Sequence, residues 1–91
     1  MKIHVNLGGI PILFKTLKRK ELDVEFSGAT LRDLIDDLVR RYGMPIKKAL
    51  LDSSGDVDLE IRVVRNNVYL TEDRMDVILQ EGDILAFRGA S

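Results

Sequence analysis

The residues Arg88, Gly89, Ala90 and Ser91 follow the apolar run Ile84, Leu85, Ala86 and Phe87 with no turn signal between them. A strand ending at Phe87 would leave this tail of Arg88, Gly89, Ala90 and Ser91 projecting beyond a folded body. A terminal carboxylate can be activated by ATP as an acyl-adenylate. The enzyme that does so must close around the backbone to reach the last carbonyl, and a glycine offers it no Cβ as an obstacle. Residues expected to point outward near this end are Arg62, Val64, Tyr69, Phe87 and Arg88. Arginine and aromatic side chains are the usual anchors of an interface, so these five are the candidate partner-binding surface.

Other chemistry is poorly supplied. His4 is the only histidine, and no cysteine or serine stands beside it to make a nucleophile and base pair. Asp33, Asp36 and Asp37 fall on the polar side of a helical pattern, whereas acid and base catalysis needs paired carboxylates in a cleft. Asp52, Asp56 and Asp58 surround Gly55, but Val57 and Val63 stand where a calcium loop needs glycine and glutamate. Gly8 and Gly9 are not followed by a phosphate-binding GxxxxGK pattern and read as a bend. No catalytic residue, metal or cofactor is therefore assigned. The absence of cysteine also removes thiolate chemistry and disulfides.

One helix must position everything else. Over residues 30–42, Leu31, Leu34, Ile35, Leu38, Val39 and Tyr42 repeat as a single apolar stripe, and every other residue between Arg32 and Arg41 is charged. Thr30 is placed to cap the first turn, with Asp33 three residues on, and Gly43 and Pro45 stop the helix. Such a face requires a sheet beneath it.

Strand patterns lie on both sides. Residues 2–7 alternate with Ile3, Val5 and Leu7 on one face. Residues 21–26 alternate with Leu22, Val24 and Phe26 on one face. Between them residues 10–14 are apolar but interrupted by Pro11, which predicts an irregular or short edge segment. After the helix, residues 46–51 hold a turn or two of helix, and residues 52–58 are a polar loop. Residues 59–64 read as a strand with Leu59, Ile61 and Val63 inward. Asn66 and Asn67 make a tight turn into Val68, Tyr69 and Leu70; residues 71–75 form a capped turn, and residues 84–87 are the last strand.

Two strands before the helix and three after it imply an α+β fold. Connecting them without a left-handed crossover puts the first and last strands side by side and parallel in the centre. That arrangement is the ubiquitin-like β-grasp, here a mixed sheet of four to five strands with one main helix across one face. Residues 1–91 are expected to form this single domain, because a chain of this length buries roughly 60 to 65% of its unfolded surface in one core.

Hydrophobic content of 45% and charged content of 32% fit an ordinary globular chain rather than a disordered one. The net charge of −1 gives no general attraction to DNA or to an anionic membrane. No apolar stretch has the length of a membrane span or of a leader, and the expected location is the cytoplasm. Lys15, Lys18, Arg19 and Lys20 form a local basic cluster, read as a solvated loop, with RNA contact as a weaker alternative.

The chain also resembles the ubiquitin-like sulfur carriers of the MoaD/ThiS family. The resemblance rests on the opening strand MKIHVNL, on Gly28 to Leu34 at the helix start with Arg41 and Tyr42 near its end, on the Val64 to Leu70 turn and strand, and on Glu81, Gly82 and Asp83 before the final strand. It implies a carrier without catalytic residues, whose C-terminal carboxylate is adenylated by an ATP-dependent activating enzyme of the ubiquitin-activating type and becomes a thiocarboxylate. A sulfur-acceptor synthase subunit would be the second partner, in molybdopterin or thiamine-type cofactor biosynthesis. The family ends in Gly-Gly; here the carrier tail is Gly89, Ala90 and Ser91. The alternative expectation is a non-conjugating β-grasp interaction module that has lost the diglycine chemistry.

Overall fold

The computed structural model describes residues 1–89. Five strands form one sheet in the order β2-β1-β5-β3-β4, where β1 is Lys2–Gly9, β2 Glu21–Glu25, β3 Arg62–Arg65, β4 Val68–Leu70 and β5 Ile84–Arg88. The first and last strands are parallel neighbours, with Val5 opposite Leu85, and every other pairing is antiparallel. β5 thus lies mid-sheet, between β1 and β3, as the crossover argument requires.

The main helix α2, Leu31–Tyr42, covers one face of this sheet. Leu31, Leu34, Ile35 and Leu38 are fully buried against Ile3, Val5, Leu7, Leu85 and Phe87. Each such side chain contributes about 1.5–3 kcal/mol through burial, so this layer is a large share of the core. The start of α2 is a complete capping box: Asp33 N donates to Thr30 Oγ1, and Asp33 Oδ2 accepts from the Thr30 and Ala29 amides at 3.1 and 2.9 Å.

Four local expectations are corrected. Residues 10–14 are not an irregular edge segment, because Pro11–Leu17 is a helix, α1. Proline opens a helix as readily as it breaks a strand, since its missing N–H is one that a first turn leaves free. Ile10 and Leu13, one turn apart, then fasten α1 to the core. The second short helix, α3, is Met44–Leu50, also opened by a proline.

The third predicted strand starts late: β3 begins at Arg62, and Leu59 is 92% exposed rather than inward. Asp58 accounts for this, because its carboxylate accepts from the Glu60 amide and its carbonyl from the Ile61 amide, closing a turn where strand was expected. Asp37, expected on the polar side of α2, is 4% exposed. Arg40 and Arg41 fold over it at 2.5 and 2.6 Å, the second contact a charge pairing outside hydrogen-bond geometry. Finally, Phe87 faces the core and is completely buried, not outward.

Candidate functional site

The site is built around the end of β5. Because Leu85 and Phe87 point into the core, Ile84, Ala86 and Arg88 point to the face of the sheet that α2 leaves open. On that face Ala86 neighbours Val64, and Val64 neighbours Tyr69 on β4. Arg88 stands opposite Arg62. Ile84 and Tyr69 are about half exposed, whereas Val64 is only 8% exposed, roofed by its neighbours. The structure therefore brings together Arg62, Val64, Tyr69 and Arg88 on one surface and removes Phe87 from it.

The opposite margin of the same face is acidic. His4 sits between two carboxylates, with Nδ1 3.0 Å from Asp23 Oδ1 and Nε2 3.0 Å from Glu21 Oε1. These hydrogen bonds, Asp23 first, outweigh the cost of partial burial and raise the imidazole above its ordinary pKa of 6.5. The cluster is an ion-pair clamp between β1 and β2, and both ring nitrogens are already engaged.

At the tail itself, Gly89 is the last described residue, and Ala90 and Ser91 of the expected carrier tail lie outside the described residues. Gly89 N donates to Gly9 O at 2.9 Å, so pairing with β1 runs one residue past the end of β5. A Cβ on Gly89 would stand 2.9 Å from Ile61 Cδ1 and 3.6 Å from Ile10 Cγ1. A side chain at this position would have to displace the tip of Ile61. Gly89 also lines a groove of about 350 Å³ between α1, α3 and the 58–61 loop, floored by Ile10, Leu13, Ala49 and Ile61. Lys48 stands on its helical side and Asp58 and Glu60 on its loop side.

Among the described residues no group of three histidine, cysteine or carboxylate side chains is placed to hold a metal ion, and no helix is long and apolar enough to cross a membrane. What the arrangement offers is a tail root, held at Gly89, beside a surface with arginine and aromatic character.

Two features escaped the sequence. Asp83, 6% exposed, accepts from Arg65 Nε, Asn66 Nδ2 and the Gln80 amide at 2.8–2.9 Å. It ties the start of β5 to the β3–β4 turn, where Asn66 and Asn67 take the positive φ angles expected of them. The Gly-Asp signal marked a turn there, but not the depth of the carboxylate. Gly9 contacts the tail root, and its only signal was two glycines between an alternating run and a proline.

No family model matches the sequence, and no curated protein is significantly similar to it. Solved structures are similar over the whole chain. A crystal structure of the Amycolatopsis orientalis BexX/CysO complex contains a chain 25% identical, matched over 98% of this chain and 96% of that one with a TM-score of 0.78. SAMP1 from Haloferax volcanii is 22% identical over 100% and 97%, at 0.77. A putative molybdopterin converting factor, subunit 1, from Pyrococcus furiosus is 20% identical over 100% and 99%, at 0.69.

The fold is the ubiquitin-like β-grasp. The fold expected from sequence thus recurs in three dimensions in these solved structures. In this β-grasp the tail root is the continuation of the mid-sheet strand.

Proposed function

We propose that this β-grasp chain is a sulfur carrier of the MoaD/ThiS type. Its C-terminal carboxylate attacks the α-phosphate of ATP within a ubiquitin-activating-type enzyme, releasing pyrophosphate and leaving an acyl-adenylate. Hydrosulfide supplied by the partner then attacks the acyl carbon and displaces AMP, and the resulting thiocarboxylate carries sulfur to a molybdopterin or thiamine-type precursor held by a synthase subunit. The carrier contributes no acid, base or nucleophile other than that carboxylate.

The observation that supports this reading is the position of Gly89. It lies at the exit of a central strand with its amide anchored, while the neighbouring open face carries Arg62, Tyr69 and Arg88 around the covered Val64. The molybdopterin and complex-forming neighbours support the choice of pathway and of protein partners. Gly89, Ala90 and Ser91 are the carrier tail in this proposal, with Ala90 and Ser91 in place of a glycine pair.

A second reading is favoured by the half-exposed Ile84 and Tyr69 on the open face, which would serve a partner whatever the tail does. It makes the chain a non-conjugating interaction module. Intact-mass measurement of the protein recovered from its own host separates the two. Replacement of one C-terminal oxygen by sulfur supports the carrier. An unmodified end that the host's activating enzyme does not adenylate, even with glycine at positions 90 and 91, establishes the module.

A further inference from the structure

The first strand outlasts its antiparallel partner. Its pairing with β2 ends at Asn6 opposite Glu21, but its pairing with β5 resumes at Gly9 opposite Arg88 after a shift of register. From Asn6 to Gly9 the first strand spends three steps while the last strand spends two, from Ala86 to Arg88, so an extra residue bulges from β1. The Asn6 side chain holds this bulge, because its Oδ1 accepts from the Gly8 amide at 2.8 Å. The bulge then delivers the Gly9 carbonyl to the amide of Gly89.

Gly9 has no room for a side chain. Its φ is not in the left-handed region, so the constraint is contact and not backbone strain. A Cβ there would stand 2.8 Å from Phe87 O and from Arg88 Cγ, and 3.0 Å from Arg88 Cα. Two of those three neighbours are backbone of β5, and Phe87 is locked in the core by its own ring. Any residue but glycine must therefore push the end of β5 away or twist it. On the far side Ile61 and Ile10 close in on Gly89, which leaves the root held between Gly9 and the two isoleucines.

We propose that Gly9, with the bulge set by Asn6, is a positioning residue for the carrier tail: it fixes the place and the backbone direction of the tail's root at Gly89. This rests on the proposed function for its purpose but not for its geometry. A tail that starts from a fixed point reaches an enzyme channel with less conformational freedom to lose, and small displacements of a reacting group cost large factors in rate. Gly9 acts through the Gly89 amide and touches no reacting atom.

The test uses the full chain as wild type, Gly9→Ala, Asn6→Ala and, as a control that destabilises the core away from the root, Leu79→Ala. Amide hydrogen exchange followed by NMR reports the root directly. The Gly89 amide is expected to be protected in wild type and to exchange about tenfold faster or more in Gly9→Ala and Asn6→Ala, with the β1–β2 amides unchanged. With the host's activating enzyme and ATP, both root variants should raise KM for the carrier about tenfold, and Leu79→Ala should not. A Gly89 amide that exchanges freely in wild type, or root variants indistinguishable from Leu79→Ala in exchange and KM, overturns the proposal. If wild type is not adenylated at all, the carrier reading fails, and the exchange measurement still decides whether Gly9 holds the root. Should Gly9→Ala not fold, Asn6→Ala, which adds no atoms, decides in its place.

Discussion

Asp83 Oδ2 accepts a 2.9 Å hydrogen bond from Arg65 Nε, and this pair joins the first residues of β5 to the turn that follows β3. Burial opposes ionisation of Asp83, but the Gln80 amide, Asn66 and Arg65 together hold its carboxyl below the ordinary 3.8. A depressed folded pKa adds stability above the unfolded value and loses it as pH falls through the folded one. Asp83→Ala is therefore expected to cost about 3 kcal/mol near neutral pH, because it strands the guanidinium of Arg65 and the amides that faced the carboxylate. Urea unfolding at pH 7 and at pH 3 checks this: the gap between wild type and variant should narrow as the pH drops below 4.

His4 behaves in the opposite sense. Its raised pKa means that the clamp to Asp23 and Glu21 adds stability below the unfolded value of 6.5 and loses it as pH climbs through the folded value above that. Thermal unfolding of wild type and His4→Gln from pH 5.5 to 8.5 should show wild type with the higher Tm at the acidic end and the difference vanishing at the alkaline end. The effect is small, since both carboxylates are well exposed to solvent.

Thr30→Ala removes one half of the capping box on α2, and a loss of about 1 kcal/mol is expected from urea unfolding. Asp33, whose carboxyl is held below the usual range by the Ala29 and Thr30 amides, supplies the other half. Asp33→Ala should cost a similar amount, and the double variant less than the two together, because each group props the other.

The two aromatic residues near the tail should separate stability from binding. Phe87→Ala empties a fully buried site and should cost about 3–5 kcal/mol. Tyr69→Ala, at a half-exposed position, should leave the urea midpoint nearly unchanged and weaken association with the activating enzyme, measured by calorimetry, by about tenfold if Tyr69 anchors that interface.

Long patterns in the sequence were legible and short ones were not. The α2 stripe, its cap, the alternation of β1 and β2 and the Asn66–Asn67 turn could be read because many residues repeat one signal. The central, parallel pairing of the first and last strands then followed from the handedness of the crossover. Residues 10–14 misled because a proline has two uses, and five residues are too few to show whether Ile10 and Leu13 repeat on a helical or an extended period. Leu59 misled because alternation continued past the point where Asp58 had already closed a turn. Phe87 was placed outward by its nearness to the tail, although the alternation of Leu85 with it pointed inward. The root contact between Gly9 and Gly89 was illegible for a different reason: it joins residues eighty positions apart, and a missing side chain leaves no pattern.

Side-by-side parallel placement of β1 and β5 has a mechanical consequence. A pull on the end of the chain, directed along β5 and away from the N-terminus, loads the bonds between these strands together, in shear, rather than peeling them one after another. A load applied at Gly89 is therefore shared by the whole β1–β5 ladder, and the body resists it as one unit.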